Sequence, residues 1–141
     1  MGWVLYDKIY NNYSTAKIWD VATGKVKHTL AGHQYAVAVL SMPNGIIVTG
    51  SQDKKIRLWY KGNMEKEFEA HEDIIRQFVE VPGLGFASCS NDETIKMWTI
   101  DGVNLATLRG HSGFVFSICY LDSGELVSGS DDCTVKVWRD G

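Results

Sequence analysis

Proline is scarce in this chain, with only Pro43 and Pro82, and no apolar run approaches the length that crosses a membrane as a helix. Basic residues are scattered: the 14 Lys and Arg never form a run of three, and the net charge is −3. Holding a phosphate backbone needs clustered cations, so nucleic acid is a poor partner. Cys89, Cys119 and Cys133 make an odd set without a CxxC pair, so no zinc site is expected. Cys89 and Cys119 lie in strand-like runs and read as small buried apolar residues. An odd, unpatterned count suits a reducing compartment, hence the cytoplasm, with the nucleus as a second location. The N-terminus lacks the basic and long apolar regions of a signal peptide. No GxSxG elbow, HExxH motif or phosphate-binding glycine loop is present, so neither an enzyme nor a bound cofactor is expected.

What is present is repetition. His33, His71 and His111 are 38 and 40 residues apart, and Trp19, Trp59, Trp98 and Trp138 recur at intervals of 40, 39 and 40. Asp53, Asp92 and Asp132 each stand six residues before a Trp, and Ser51, Ser90 and Ser130 eight before. Between these markers the apolar and polar residues alternate with the period of a strand, and turn residues punctuate them. In the last repeat, turns at Asp122-Ser123-Gly124 and Asp131-Asp132 separate three strand-like runs. A period near 40 with His, Asp and Trp at fixed offsets indicates four-stranded blades. The fold class is therefore all-β, a partial propeller of about three and a half four-stranded antiparallel blades.

The repeat divides the chain. Residues 1–13 carry none of the markers, with Tyr13 where later repeats have Asp, and read as an irregular segment outside the repeat. Residues 14–30 read as the second half of a blade, 31–69 and 70–109 as complete repeats, and 110–141 as a repeat without its last strand. Propellers need at least about four blades, so the chain is expected to be part of a longer protein. The charge run Glu65, Lys66, Glu67 and Glu69 reads as a solvated outer strand.

Each repeat assembles His, hydroxyl, Asp and Trp: His33, Thr49, Asp53, Trp59; His71, Ser88, Asp92, Trp98; and His111, Ser128, Asp132, Trp138. Ser51, Ser90 and Ser130 have the same strand parity as Thr49, Ser88 and Ser128, so either hydroxyl of a repeat completes its set on this reading. A His, a hydroxyl and a carboxylate also suit nucleophilic catalysis, but such a set occurs once, at a cleft. Recurrence with a Trp points instead to buried hydrogen bonds that fasten strands and turns together. Recognition then falls to the loops after each His and the turns before each Asp. Candidate binding residues are Tyr35, Gln52, Asp73, Ile74, Arg76, Asn91, Phe114, Phe116 and Asp131, since aromatic and Arg side chains anchor protein interfaces.

The repeats resemble the WD-repeat family across residues 14–139, although only Trp19-Asp20 keeps the eponymous dipeptide. Thr15 to Trp19, HEDIIR from His71, SCSNDETIKMW from Ser88 and GHSGFVFSI from Gly110 are similar to the propeller of the phospholipase A-2-activating protein family. That resemblance implies ubiquitin binding in ubiquitin-dependent protein turnover, alongside an AAA unfoldase. Contact with the unfoldase is implied only for domains that would lie beyond Gly141. The alternative is a general WD-repeat scaffold that holds a peptide or a subunit of another complex.

Overall fold

The computed structural model describes residues 3–8, 13–35 and 37–139. Every regular element among them is a strand. The strands are β1 (Trp3–Lys8), β2 (Tyr13–Asp20), β3 (Lys25–Gln34), β4 (Val37–Ser41), β5 (Ile46–Ser51), β6 (Lys55–Tyr60) and β7 (Asn63–Glu69). They continue with β8 (Ile75–Val81), β9 (Gly85–Ser90), β10 (Ile95–Thr99), β11 (Asn104–Leu108), β12 (Val115–Tyr120), β13 (Leu126–Ser130) and β14 (Val135–Trp138). Each sheet is an antiparallel meander, in the orders β1-β2-β3, β4-β5-β6-β7, β8-β9-β10-β11 and β12-β13-β14. Residues 1–70 and 71–141 form two compact units of two sheets each.

Within the four-stranded sheets, burial follows position. The inner strand β9, GFASCS, is buried at every residue, and β5 is nearly so. Burial there takes in large and small side chains alike, Phe86 beside Ala87 and Ser88 in β9 and Val48 beside Thr49 in β5. The outer strand β7 exposes all but one residue. Its charge run is not wholly solvated, because Glu67 accepts from Arg57 Nε at 2.5 Å and from Lys55 Nζ at 3.1 Å. The two sheets of the first unit share a core of Ala16, Leu30, Ile47 and Trp59. Those of the second pack through Val81, Ala87, Cys89, Ile95, Val115, Ile118 and Leu126.

Three expectations need correction. The segment read as irregular contains β1, which pairs with β2 from Trp3↔Trp19 to Lys8↔Ser14. A strand needs only an extended backbone in register and good strand formers such as Trp, Val and Tyr, none of which depends on the repeat's markers. Next, β3 does not stop at Leu30 but runs on to Gln34, placing His33 opposite Ser14. Finally, Cys119 is exposed, unlike Cys89. Alternation along β12 turns Ile118 inward and hence Cys119 outward.

Gly85 tests how closely the inner strands approach. Its φ is +153°, and a Cβ there would lie 2.2 Å from the Trp98 carbonyl oxygen. At Gly83, with φ +78°, nothing lies within 4 Å of such an atom. Gly85→Ala is therefore expected to cost about 3 kcal/mol and Gly83→Ala about 1 kcal/mol, measured by urea unfolding. Equal losses would show that the close approach is relieved.

Candidate functional site

The marker residues come together three times. In the first complete sheet, the Trp59 indole N–H donates to Thr49 Oγ1 at 2.8 Å, and that hydroxyl lies 2.6 Å from His33 Nε2. His33 Nδ1 lies 2.9 Å from Asp53 Oδ2. The next sheet repeats this with Trp98, Ser88, His71 and Asp92 at 2.9, 2.7 and 2.8 Å. The last does so with Trp138, Ser128, His111 and Asp132 at 2.8, 2.7 and 2.7 Å.

Donor and acceptor accounting fixes the direction of each chain. An indole N–H only donates, so the hydroxyl accepts from it and has one proton left to give to His Nε2. Nδ1 then carries the imidazole proton and donates it to the carboxylate. Thr49, Ser88 and Ser128 are thus the hydroxyls of the sets. Ser51 and Ser90 act elsewhere: their hydroxyls donate to the carbonyls of Gln34 and Asp73 and accept from the amides of Asp53 and Asp92. Ser130 Oγ accepts from the Asp132 amide in the same way. The first sheet has no such set among the described residues, and the buried Trp19 Nε1, Ser14 Oγ and Thr15 Oγ1 have no partner there.

The carboxylates are kept ionised. Burial pushes Asp53 up, but the hydrogen bond and electrostatic attraction of the His33 Nδ1–H, with the Ser51 and Lys55 contacts, outweigh it and hold the group at about 2. Asp92 sits well below the usual carboxylate range, because the bonds from His71 and Thr94 outweigh its burial. Asp132 is likewise lowered, chiefly by the Thr134 hydroxyl against burial, and then by His111. The donors and acceptors of each set are spent on one another, so the sets tie the strands and turns of each sheet together.

The candidate binding residues divide between the units. Tyr35 and Gln52 belong to the first; Tyr35 is exposed with φ +64°, and Gln52 is exposed on the Asp53 turn. Asp73, Ile74, Arg76, Asn91, Phe114, Phe116 and Asp131 belong to the second, where the structure joins most of them. Arg76 Nε–H donates to Asn91 Oδ1 at 2.7 Å, and its guanidinium carbon lies 5.4 Å from the Phe116 ring centroid. Phe116 meets Phe114 edge to face, with centroids 6.1 Å apart at 88°. The Ile74 carbonyl accepts from the Asn91 amide, and the Phe114 carbonyl from the Asp131 amide, both at 2.9 Å. Asp73 Oδ1 caps the amide of Ile74 at 2.7 Å. Asn91 is buried and supports Arg76 from beneath; it is not part of the open surface.

Two bulges create this surface, and sequence reading missed them. Pairing slips by one residue between Ile75 and Gln77 and again between Val115 and Ser117, leaving Arg76 and Phe116 as the extra residues. Such insertions re-aim a side chain out of the ladder. Strands β4 and β5 pair without a slip. The signal was in the spacing: His and its hydroxyl are 16 residues apart in the unbulged sheet and 17 in the other two.

Comparison with known proteins accords with this architecture. The WD domain, G-beta repeat, matches residues 24–60 and 102–139, more than half of the chain. The chain belongs to the WD-repeat family. The WD40 β-propeller domain of Doa1, solved as a crystal structure, superposes with a TM-score of 0.76 at 32% identity, covering 92% of this chain and 47% of that one. Doa1 is a homologue of phospholipase A-2-activating protein. Ubiquitin homeostasis protein lub1 of Schizosaccharomyces pombe is 44% identical over 75 residues, which are 52% of this chain and 10% of that protein. Nuclear distribution protein PAC1 of Arthroderma benhamiae is 30% identical over 142 residues, 88% of this chain and 31% of that protein. The chain thus spans a third or less of these curated relatives. WD-repeat propellers generally serve as non-catalytic scaffolds for protein interaction.

Two measurements test the fastening. Ser88→Ala leaves the Trp98 indole N–H without its acceptor and His71 Nε2 without its donor, and is expected to cost about 3 kcal/mol in urea unfolding. The carboxylates are more acidic folded than unfolded, where their values are near 4. They therefore contribute stability above about pH 4 that disappears as pH falls through 2 and below. Asp92→Asn is expected to flatten that decline; an unchanged slope would mean that the acid sensitivity arises elsewhere.

Proposed function

We propose that this chain is a protein-interaction propeller segment that binds ubiquitin through the surface around Phe114 and Phe116, as part of an unfoldase adaptor in ubiquitin-dependent protein turnover. The observation that carries the reading is the bulge-built cluster of Arg76, Phe116 and Phe114, with the two rings 41% and 45% exposed. Large aromatics held rigidly at a surface make interface anchors, because little further side-chain entropy is lost on binding. Acidic groups accompany them: Asp73 caps the Ile74 amide, and the Asp131 amide is tied to the Phe114 carbonyl. An apolar patch ringed by basic residues, such as ubiquitin presents, complements apolar rings flanked by carboxylates. The similarity to ubiquitin homeostasis protein lub1 supports the same partner. The setting proposed is the cytoplasm, with the nucleus as a second compartment. A scaffold for another complex is the rival, favoured by the longer alignment with nuclear distribution protein PAC1.

Calorimetric titration of the full chain with ubiquitin separates the two. The double variant Phe116→Ala, Asp73→Ala is expected to bind about thirtyfold more weakly than wild type, about 2 kcal/mol, as for a central anchor and its flanking charge. If wild type and variant retain ubiquitin equally poorly, the ubiquitin reading fails and the scaffold reading stands.

A further inference from the structure

The guanidinium of Arg76 is only half used. It has five N–H donors, and the bond to Asn91 occupies Nε while one face lies along Phe116. Arg57 shows how this chain satisfies an arginine internally: Nε meets Glu67 at 2.5 Å, Nη1 meets Asp53 at 3.4 Å, and the residue is buried. Arg139 Nε is also paired, with Glu125. Arg76 is exposed, and among the described residues no carboxylate stands at ion-pair distance from it.

The support beneath Arg76 is itself specific. Of the three residues that precede a tight-turn Asp, Gln52 and Asp131 are exposed, while Asn91 is 6% exposed and held by its own amide bond to Ile74. A buried amide side chain thus fixes Nε, and an aromatic ring fixes the plane. The two terminal amino groups remain as a planar fork whose orientation is settled before any partner arrives, the arrangement that suits two-point binding of a carboxylate. Glu72, Asp73 and Asp131 are close in the chain to this cluster and disfavour a free anion. A carboxylate succeeds there only when it arrives attached to a group that gains apolar contact nearby, and the exposed Phe114 and Phe116 rings offer that contact.

We infer that Arg76 is a preorganised receptor for a carboxylate, and that the occupant of this surface is a protein segment presenting an acidic group beside an apolar side chain. The inference rests on the docking role proposed above for Phe114 and Phe116, but not on ubiquitin being the partner.

The test is a double-mutant cycle on the full chain. Wild type, Arg76→Gln and Arg76→Lys are titrated with ubiquitin, with ubiquitins in which single Asp or Glu residues are changed to Asn or Gln, and with one carrying a C-terminal amide. Arg76→Gln is expected to weaken binding about tenfold, and Arg76→Lys to recover only part of it, because an ammonium lacks the fork. One neutralised ubiquitin should weaken wild type by the same factor and leave Arg76→Gln unaffected. If every neutralisation acts equally on wild type and Arg76→Gln, or if Arg76→Lys matches wild type, the inference is overturned. Should wild type fail to bind ubiquitin at all, the ubiquitin reading alone falls, and an array of peptides in matched Leu-Glu and Leu-Gln pairs takes its place. Retention of the Glu member by wild type and not by Arg76→Gln supports the carboxylate receptor. Equal retention of both members, none included, overturns it.

Discussion

A buried indole N–H must find an acceptor, and in this chain the acceptor is a hydroxyl that has a single proton to pass on. From that constraint the polarity of each fastening chain follows: Trp gives to Ser or Thr, the hydroxyl gives to His Nε2, and His Nδ1 gives to Asp. The Asp in turn accepts backbone amides on either side of the sheet, from Glu72 and Thr94 in one case and from Ser112 and Thr134 in another. Each set therefore joins the third strand, the second strand and the tight turn to the segment that carries the His, which is a loop for His71 and His111 and the end of β3 for His33. The bonds from Trp to hydroxyl, hydroxyl to His and His to Asp recur in three sheets, which is what a structural fastening does.

With the loops fixed in this way, short irregularities near them acquire a defined geometry. The bulges at Arg76 and Phe116 lie one residue past Ile75 and Val115, which are themselves buried. The buried residue anchors the strand and the inserted one is turned outward. Rigid placement is what a recognition surface needs from a scaffold, because side chains already ordered lose less on binding.

Much of this was legible in the residues alone. The offsets of His, Asp and Trp identified the blades, and the turns read at Asp122-Ser123-Gly124 and Asp131-Asp132 do separate the strands β12, β13 and β14. The chemistry of the fastening sets was also legible, but the choice between Thr49 and Ser51 was not. Both lie on one face of β5, and only the three-dimensional reach of His33 and Trp59 separates them. Strand β1 escaped because it carries no repeat marker, although its residues favour extended chain. Cys119 was misplaced because a strand-like run does not say which of its two faces is covered. Candidate positions such as Arg76 and Phe116 were named from their distance to His, while the slip in register that joins them left a trace only in a spacing of 17 against 16.

That difference of one residue has a wider meaning. Three inserted nucleotides between a His codon and its hydroxyl codon give a blade one additional outward side chain without disturbing any member of the fastening set. The sheet built on His33, which lacks the insertion, and the sheets built on His71 and His111, which have it, show both outcomes within a single chain. Recognition and architecture in this repeat are thus separable at the level of the gene: the rim can be rewritten by length alone, blade by blade, while the frame stays as it was.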